Sequence, residues 1–237
     1  MDALGYEDLG FARVDHDRLR RRGYPEAIYG AGKTLDEILA IGESLLRSGA
    51  TNVLVTRVSA ATLERLAEHF GDADLVPEAG LCVLRPVRGA GVGHVAVVTS
   101  RPDDVPVALE AARTAEAMGS RVERRFDAPM AAPERFPAWF ATLEQPRVIV
   151  VAHGADGALA SVVAGMARCL VIAVPTSAGS PWKGAPAVLA ALNTCVPGLV
   201  TVNIDNGFGA GYAAHLVNLG GEATATGEAR DAMVVSR

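Results

Sequence analysis

Cysteine is scarce in this chain and unpatterned: Cys82, Cys169 and Cys195 are an odd number with no CxxC spacing. That excludes a disulfide framework and a zinc site of the usual spacing, and a reducing cytoplasm is the expected compartment. The opening residues Met1-Asp2-Ala3-Leu4-Gly5 lack the basic and apolar blocks of a signal peptide. The most apolar run, around Val162 to Val174, is interrupted by Arg168, so a soluble chain with no membrane partner is expected. An excess of basic charge is also missing. The formal net charge of -5 is spread along the chain and gives no electrostatic case for nucleic acid, so any phosphate-bearing ligand must be held locally.

Two nucleotide signatures are incomplete. Gly30-Ala31-Gly32-Lys33-Thr34 ends like a P-loop, but the earlier glycine falls at Ala27 and no clear long strand precedes it, which excludes an NTPase of that type. The segment can still open a helix that binds phosphate with Lys33 as a point charge, or form a plain turn with a helix cap. Gly207, Gly209 and Gly211 do not match GxGxxG, so a dinucleotide-dependent dehydrogenase is not indicated. These glycines let a backbone approach either a ligand or a neighbouring helix, and the pattern does not choose.

What is present is half hydrophobic, enough for a sizeable core. Apolar residues at helical spacing over Thr34–Leu46, with Glu37 three residues after Thr34, predict a capped helix. A strand at Val53–Thr56, a helix over Ala60–His69 and short apolar pieces near Leu81–Leu84 complete a small N-terminal α/β domain, residues 1–92. The glycine-rich stretch Pro86–Gly93 breaks the periodicity and marks the boundary. Five short apolar runs follow, at His94–Thr99, Val122–Phe126, Val148–Ala152, Leu170–Val174 and Leu199–Ile204. Helical candidates punctuate them, at Val105–Met118, Glu134–Leu143, Ala158–Ala167, Ala185–Leu192 and Gly209–Leu219. This alternation predicts a doubly wound parallel sheet in three layers over residues 93–220, with a small polar tail at 221–237.

Ligands of such sheets collect at the carboxyl ends of the strands, where this chain carries Asp104, His153, Asp156, Ser177, Asp205, Asn206 and Gly207. Asp156 reads equally as a helix N-cap or as a general base, and His153 shares the ambiguity. Cys195 follows the predicted Ala185–Leu192 helix, and the chain soon reaches the polar turn Asn203-Ile204-Asp205-Asn206-Gly207. A soft nucleophile and an anion-binding corner are therefore expected together. Taken alone, the cysteine reads first as a small buried hydrophobe. A thiol needs cationic or dipolar neighbours to become a good nucleophile, and Lys183 and the following helix N-terminus are the candidates.

Two signatures go further. Gly10-Phe11-Ala12-Arg13-Val14-Asp15 with Arg22-Gly23-Tyr24-Pro25-Glu26-Ala27-Ile28-Tyr29-Gly30-Ala31-Gly32-Lys33-Thr34 lies near the start. Ile172-Ala173-Val174-Pro175-Thr176-Ser177 and Asn203-Ile204-Asp205-Asn206-Gly207-Phe208-Gly209-Ala210-Gly211-Tyr212 lie near the end. Together and in order they resemble the LarB family, the pyridinium biscarboxylate mononucleotide synthases of nickel-pincer cofactor synthesis.

The resemblance implies a PurE-like second domain and a homo-octamer or other homo-oligomer. It implies nicotinic acid adenine dinucleotide as substrate, carboxylated at C5 of its pyridinium ring and cleaved to release AMP, with carbon dioxide or bicarbonate as co-substrate and Mg2+ as cofactor. Cys195 matches the family's nucleophile, and Asp156 stands where the family has a glutamate base. Asp104, His153, Ser177, Asp205, Asn206 and Gly207 correspond to the nucleotide site, with a phosphate contact from Lys33. The chain departs from the family's Gly-Thr-Ser-Asp at Arg101-Pro102-Asp103-Asp104. Its Ser177–Ala185 loop is about two residues shorter and carries Pro181, Trp182 and Lys183. Two other readings remain: a carboxylase or mutase of another pyridinium or aminoimidazole nucleotide, and a catalytically silent nucleotide-binding homologue.

Overall fold

The computed structural model describes residues 5–154 and 157–234, with 221–234 as backbone only. Asp156 therefore lies outside the described residues. The chain divides into two compact units, Met1–Gly89 and Ala90–Arg237.

The first unit opens with an antiparallel pair, β1 (Tyr6–Asp8) and β2 (Arg13–Asp15), followed by a short helix α1 (Arg18–Arg22). β3 (Ile28–Tyr29), α2 (Leu35–Arg47), β4 (Val53–Thr56), α3 (Ala60–Phe70), β5 (Asp74–Val76) and β6 (Leu81–Leu84) complete it, with sheet order β3-β4-β6-β5. α2 forms where the spacing places it. The Thr34 side chain accepts from the Glu37 amide, the Glu37 carboxylate reaches back to the Thr34 amide, and Ile38, Ile41 and Leu45 turn into the core. The hairpin and α1 were not apparent from periodicity, because three-residue strands carry too few alternations to register.

Glu7 ties the hairpin to α2. Its carboxylate accepts from Ser44 Oγ at 2.5 Å and pairs with His16 Nε2 at 2.9 Å and Arg47 at 3.2 Å. The Ser44 hydroxyl first, then His16 and Arg47, hold its pKa down from 4.5 to about 2. A depressed carboxylate contributes stability that is complete above its unfolded pKa and is lost as pH falls through the folded one. Glu7→Gln is therefore expected to flatten the acid limb of first-unit unfolding between pH 4.5 and about 2, followed by circular dichroism across that range.

The second unit is built on five parallel strands: β7 (Val92–Val98), β8 (Ser120–Arg125), β9 (Val148–His153), β10 (Leu170–Pro175) and β11 (Leu199–Thr201). The crossover helices are α4 (Val105–Ala117), α5 (Phe136–Phe140), α6 (Ala158–Met166) and α7 (Ala185–Leu192), and α8 (Gly207–Val234) closes the chain. The strand order is β11-β10-β9-β7-β8. Alternate residues divide the strands between two cores. Val95, Val97, Val148, Val150, Ile172 and Val174 pack with α4 and α8, while Ala96, Val98, Ile149, Val151, Val171 and Ala173 pack with the α5–α7 side. This is the doubly wound, three-layer α/β architecture expected from the alternating apolar runs.

Most boundaries lie within two residues of the sequence reading, β7 and β8 each beginning two residues earlier, and three elements differ in ways that matter for the edge. The helix expected over Glu134–Leu143 shortens to Phe136–Phe140 after a 3-10 turn at Pro133–Arg135. β11 stops at Thr201 because the chain turns at Asn203–Asn206, where Asn206 N bonds Asn203 O at 3.2 Å. α8 begins at Gly207 and continues to Val234, past the expected end at Leu219. Gly220-Gly221 does not stop it, although two adjacent glycines weaken the local helix preference.

Candidate active site

In the order β8-β7-β9-β10-β11, β7 and β9 are neighbours whose crossovers leave on opposite faces. Their carboxyl ends therefore frame a crevice, the place where open α/β sheets hold ligands. Asp104 enters this crevice from the start of α4 and is almost wholly buried. Its Oδ1 accepts from Thr176 Oγ1 at 2.5 Å, and the Gly154 amide also bonds the carboxylate. Its Oδ2 has no hydrogen-bond partner among the described residues, and neither has the buried Oγ1 of Thr99 at the end of β7. Gly154 admits this geometry. A Cβ there would stand 2.7 Å from Thr176 Oγ1 and 2.9 Å from Asp104 Oδ1.

Burial pushes the Asp104 pKa up, and the bonds from Thr176 and Gly154 offset only part of it. A buried acid with one uncommitted oxygen can hold a proton or pair with a ligand. The raised pKa also fixes a sign. The folded state holds this proton more tightly than the unfolded chain, so the charge costs stability as pH rises from the unfolded value upward. Asp104→Asn keeps the Oδ1 acceptor and removes the charge. It is expected to raise the neutral-pH melting temperature by about 2–4 °C while lowering turnover, with the thermal gain disappearing at acid pH. Paired melting curves and rates at pH 4 and pH 7 would check it.

The other edge residues tie loops together. His153 is the buried last residue of β9, and its carbonyl accepts from the Thr176 amide at 2.9 Å. The Ser177 amide donates to Asp205 Oδ1 at 2.7 Å, and the Asp205 amide donates to Pro175 O at 2.8 Å. Asp205 holds a positive φ of 58°, a conformation that costs a non-glycine residue on the order of 1 kcal/mol and persists only where the surroundings enforce it. Arg101 pairs with Asp103 at 3.0 Å, and Gly179 packs against that pair.

Asn206 and Gly207 stand at the start of α8 and shape it. Asn206 Oδ1 accepts from the Gly209 amide at 2.8 Å, as an N-cap does. A Cβ on Gly207 would lie 2.4 Å from Val107 O and 2.8 Å from Glu110 Oε2, so the buried Glu110 carboxylate already faces the α8 N-terminus. A Cβ on Gly211 would lie 2.3 Å from Ala111 O. For Gly207 and Gly211 the alternatives left open by the pattern resolve toward a neighbouring helix, α4.

Cys195 is exposed, so it is not a small buried hydrophobe. The other two thiols are held protonated: burial, with Asp74 adding to it, pushes Cys82 up to about 12, and burial raises Cys169. The expected meeting of Cys195 with the Asn203–Gly207 turn does not occur within one chain. Cys195 lies in the connection entering β11 from its amino end, where Gly198 O accepts from Val171 N. Asp205 lies at the far end, level with Pro175. Four residues of β10 separate the two levels, roughly 13 Å along the sheet. Lys183 precedes α7 and Cys195 follows it, so the helix, about 12 Å long, stands between them.

Lys33 belongs to the first unit, where its Nζ donates to Tyr29 O at 2.9 Å just ahead of the α2 cap. Thr99 and Thr176 escaped the sequence reading as site residues. The available signal was a hydroxyl directly after an apolar strand, in Val97-Val98-Thr99 and Val174-Pro175-Thr176. Among the described residues no helix is long and apolar enough to cross a membrane, and no group of three or more His, Cys, Asp or Glu side chains gathers as a metal cage.

Comparison with known proteins finds a family domain in each unit. The LarB/PurE-like N-terminal domain family matches residues 6–86 and the AIR carboxylase family matches residues 94–227. An uncharacterized protein of Methanocaldococcus jannaschii is 35% identical over 216 residues, covering 86% of this chain and 83% of that one. A crystal structure of a Treponema denticola PurE2 variant aligns at 16% identity with a TM-score of 0.42, over 62% of this chain and 99% of that one. The domain pair implies an enzyme of the carboxylase/mutase type with nucleotide-related chemistry. With its N-terminal LarB domain and its PurE-like second domain, the chain belongs to the LarB family.

Proposed function

We propose that this enzyme carboxylates C5 of the pyridinium ring of nicotinic acid adenine dinucleotide and hydrolyses the phosphoanhydride, releasing AMP and pyridinium-3,5-biscarboxylic acid mononucleotide. The observation that carries the reading is the union of both family domains in one chain whose one exposed thiol, of three, is Cys195.

The chemistry needs that thiol. A pyridinium ring is electron-poor and cannot attack carbon dioxide. Addition of the Cys195 thiolate to the ring carbon beside C5 forms a C–S bond and moves an electron pair onto the ring nitrogen, leaving an enamine with nucleophilic C5. C5 then bonds to carbon dioxide and the nitrogen regains its positive charge. A base takes the C5 proton, the C–H pair becomes a ring double bond, and the sulfur leaves with the C–S pair. Asp156, at the family's glutamate position, is the proposed base.

Asp104, Thr99 and Ser177 line the crevice that receives the nucleotide, with His153 and Asp205 fixing its rim. Asp104 Oδ2 would be the protein oxygen to hold a magnesium ion. Such an ion would neutralise phosphate charge. Lys33 is a proposed phosphate contact.

Incubation with the dinucleotide, bicarbonate and magnesium is expected to give AMP and a mononucleotide bearing one added carboxylate, detected by mass spectrometry. A folded preparation giving neither removes the assignment. The Arg101–Asp103 pair favours a second reading, since it fills loop space that small residues leave open and points to a different nucleotide partner. Faster turnover of a pyridinium mononucleotide or an aminoimidazole ribonucleotide would select it.

A further inference from the structure

We infer that the Trp182 indole is a stacking platform for the uncharged base of the bound nucleotide, with Lys183 beside it as the cation for the adjoining phosphate. The inference rests on the function proposed above, which makes that base adenine and places it at the end of the substrate remote from the reacting ring.

The two tryptophans of the chain are used differently. Trp139 is committed to the fold: its ring packs on Phe136 at 5.2 Å between centroids, its Nε1 donates to Asp127 Oδ1 at 3.0 Å, and the Arg125 guanidinium lies over its face at 5.2 Å. Trp182 is 73% exposed, the most exposed large apolar side chain among the described residues, and its indole has no ring or hydrogen-bond partner among them. A broad apolar face left in water gains most when a flat ring covers it.

The loop that carries Trp182 leaves β10 at the crevice and is held at both ends. At its start the Ser177 amide donates to Asp205 Oδ1 at 2.7 Å, and a Cβ on Gly179 would lie 2.9 Å from both Arg101 Nη2 and Asp103 Oδ2. At its end a Cβ on Gly184 would lie 2.8 Å from Thr176 O, and Thr176 is the residue whose hydroxyl bonds Asp104. Between these anchors the Lys183 amide donates to Ser180 O at 3.1 Å and the Ala185 amide to Trp182 O at 3.0 Å. Trp182 is two residues from Gly184, so its Cα lies within about 7 Å of that anchor. An aromatic face held at the rim in this way loses little freedom when a ligand arrives.

Stacking alone does not choose a ring, since every base has a π-face. Two charges make the choice. Lys183 disfavours a pyridinium cation on the neighbouring indole and favours a neutral base that carries a phosphate. An indole under the pyridinium would also stabilise the very charge that thiolate addition removes, and so oppose the reaction. The adenine end has neither conflict.

Binding and kinetics test this together. Trp139→Phe leaves Trp182 as the one tryptophan, and its emission is followed as AMP is added. Saturable quenching is expected, with none from ribose 5-phosphate at the same concentration. With Trp139 retained, Trp182→Ala is expected to weaken AMP binding about tenfold or more in a calorimetric titration, the loss of one stacked base, and Trp182→Phe to restore most of it. Against the dinucleotide, Trp182→Ala is expected to raise KM by a similar factor and to keep kcat, whereas a merely structural residue would lower kcat and the melting temperature together. AMP affinity that is unchanged in Trp182→Ala, or quenching by nicotinic acid mononucleotide without quenching by AMP, overturns the inference. If the wild type makes no carboxylated product yet binds AMP through Trp182, the function assignment fails and the platform stands.

Discussion

Cys195→Ser is expected to lower carboxylation by at least about 10³-fold while leaving the melting temperature within about 1 °C of wild type. The two halves have separate causes. Serine keeps the size of the side chain, and at an exposed position without core contacts the exchange disturbs stability by no more than about 0.5 kcal/mol. The kinetic loss follows from acidity, since a hydroxyl is far harder to ionise than a thiol, and its addition to the ring is correspondingly disfavoured. A coincident loss of rate and fold would assign Cys195 to structure. An unchanged rate would dismiss it as the nucleophile. Intact-mass analysis of a quenched reaction supplies the direct readout, a substrate adduct present in wild type and absent from the variant.

Gly211→Leu is expected to be the most damaging single change to the second unit, with a fall in melting temperature of about 8 °C or more. Replacing a helical glycine by a good helix former gains about 1 kcal/mol of local preference. Here that gain loses to contact. A Cβ alone would sit 2.3 Å from Ala111 O and 2.9 Å from Thr114 Cβ, and backbone oxygen cannot swing aside as a side chain can. α4 and α8 must then separate along the line of Ala108, Ala111, Ala112, Ala210 and Ala214, opening one of the two cores. Gly220→Ala is the control within the same helix, where no heavy atom of the described residues lies within 4 Å of the added carbon. It is expected to leave stability unchanged or raise it slightly, and differential scanning calorimetry on both variants separates crowding from helix preference.

The parallel sheet was legible because each of its inner strands is a short, continuous apolar run buried on both faces, and such runs have few other solutions. β8 was found less directly: Ser120-Arg121-Val122-Glu123-Arg124-Arg125 is an edge strand, its outer positions taken up by charge. The carboxyl edge was legible for the same reason as the sheet, since loop residues after apolar strands fall there by topology. The position of Cys195 was not. Its nearness in sequence to Asp205 suggested nearness in space, but an extended strand carries successive residues apart, and β11 with its exit runs between them. Nor could periodicity settle the glycines at 207 and 211, because a helix approached by a ligand and one approached by another helix require the same missing side chain. Asp104 could be named from the motif. Its unshared oxygen could not, since the partners Thr176 and Gly154 are supplied by loops 50 and more positions away.

The Glu110 carboxylate against Gly207 has a consequence for recognising relatives of this protein. Since Gly207 and Gly211 seat α8 on α4 and Asn206 caps it, a descendant that had lost every trace of chemistry would still keep these three residues in order to fold. They therefore identify ancestry, and a solvent-facing sulfur at the entrance to the last strand is the better sign of an enzyme that still turns over.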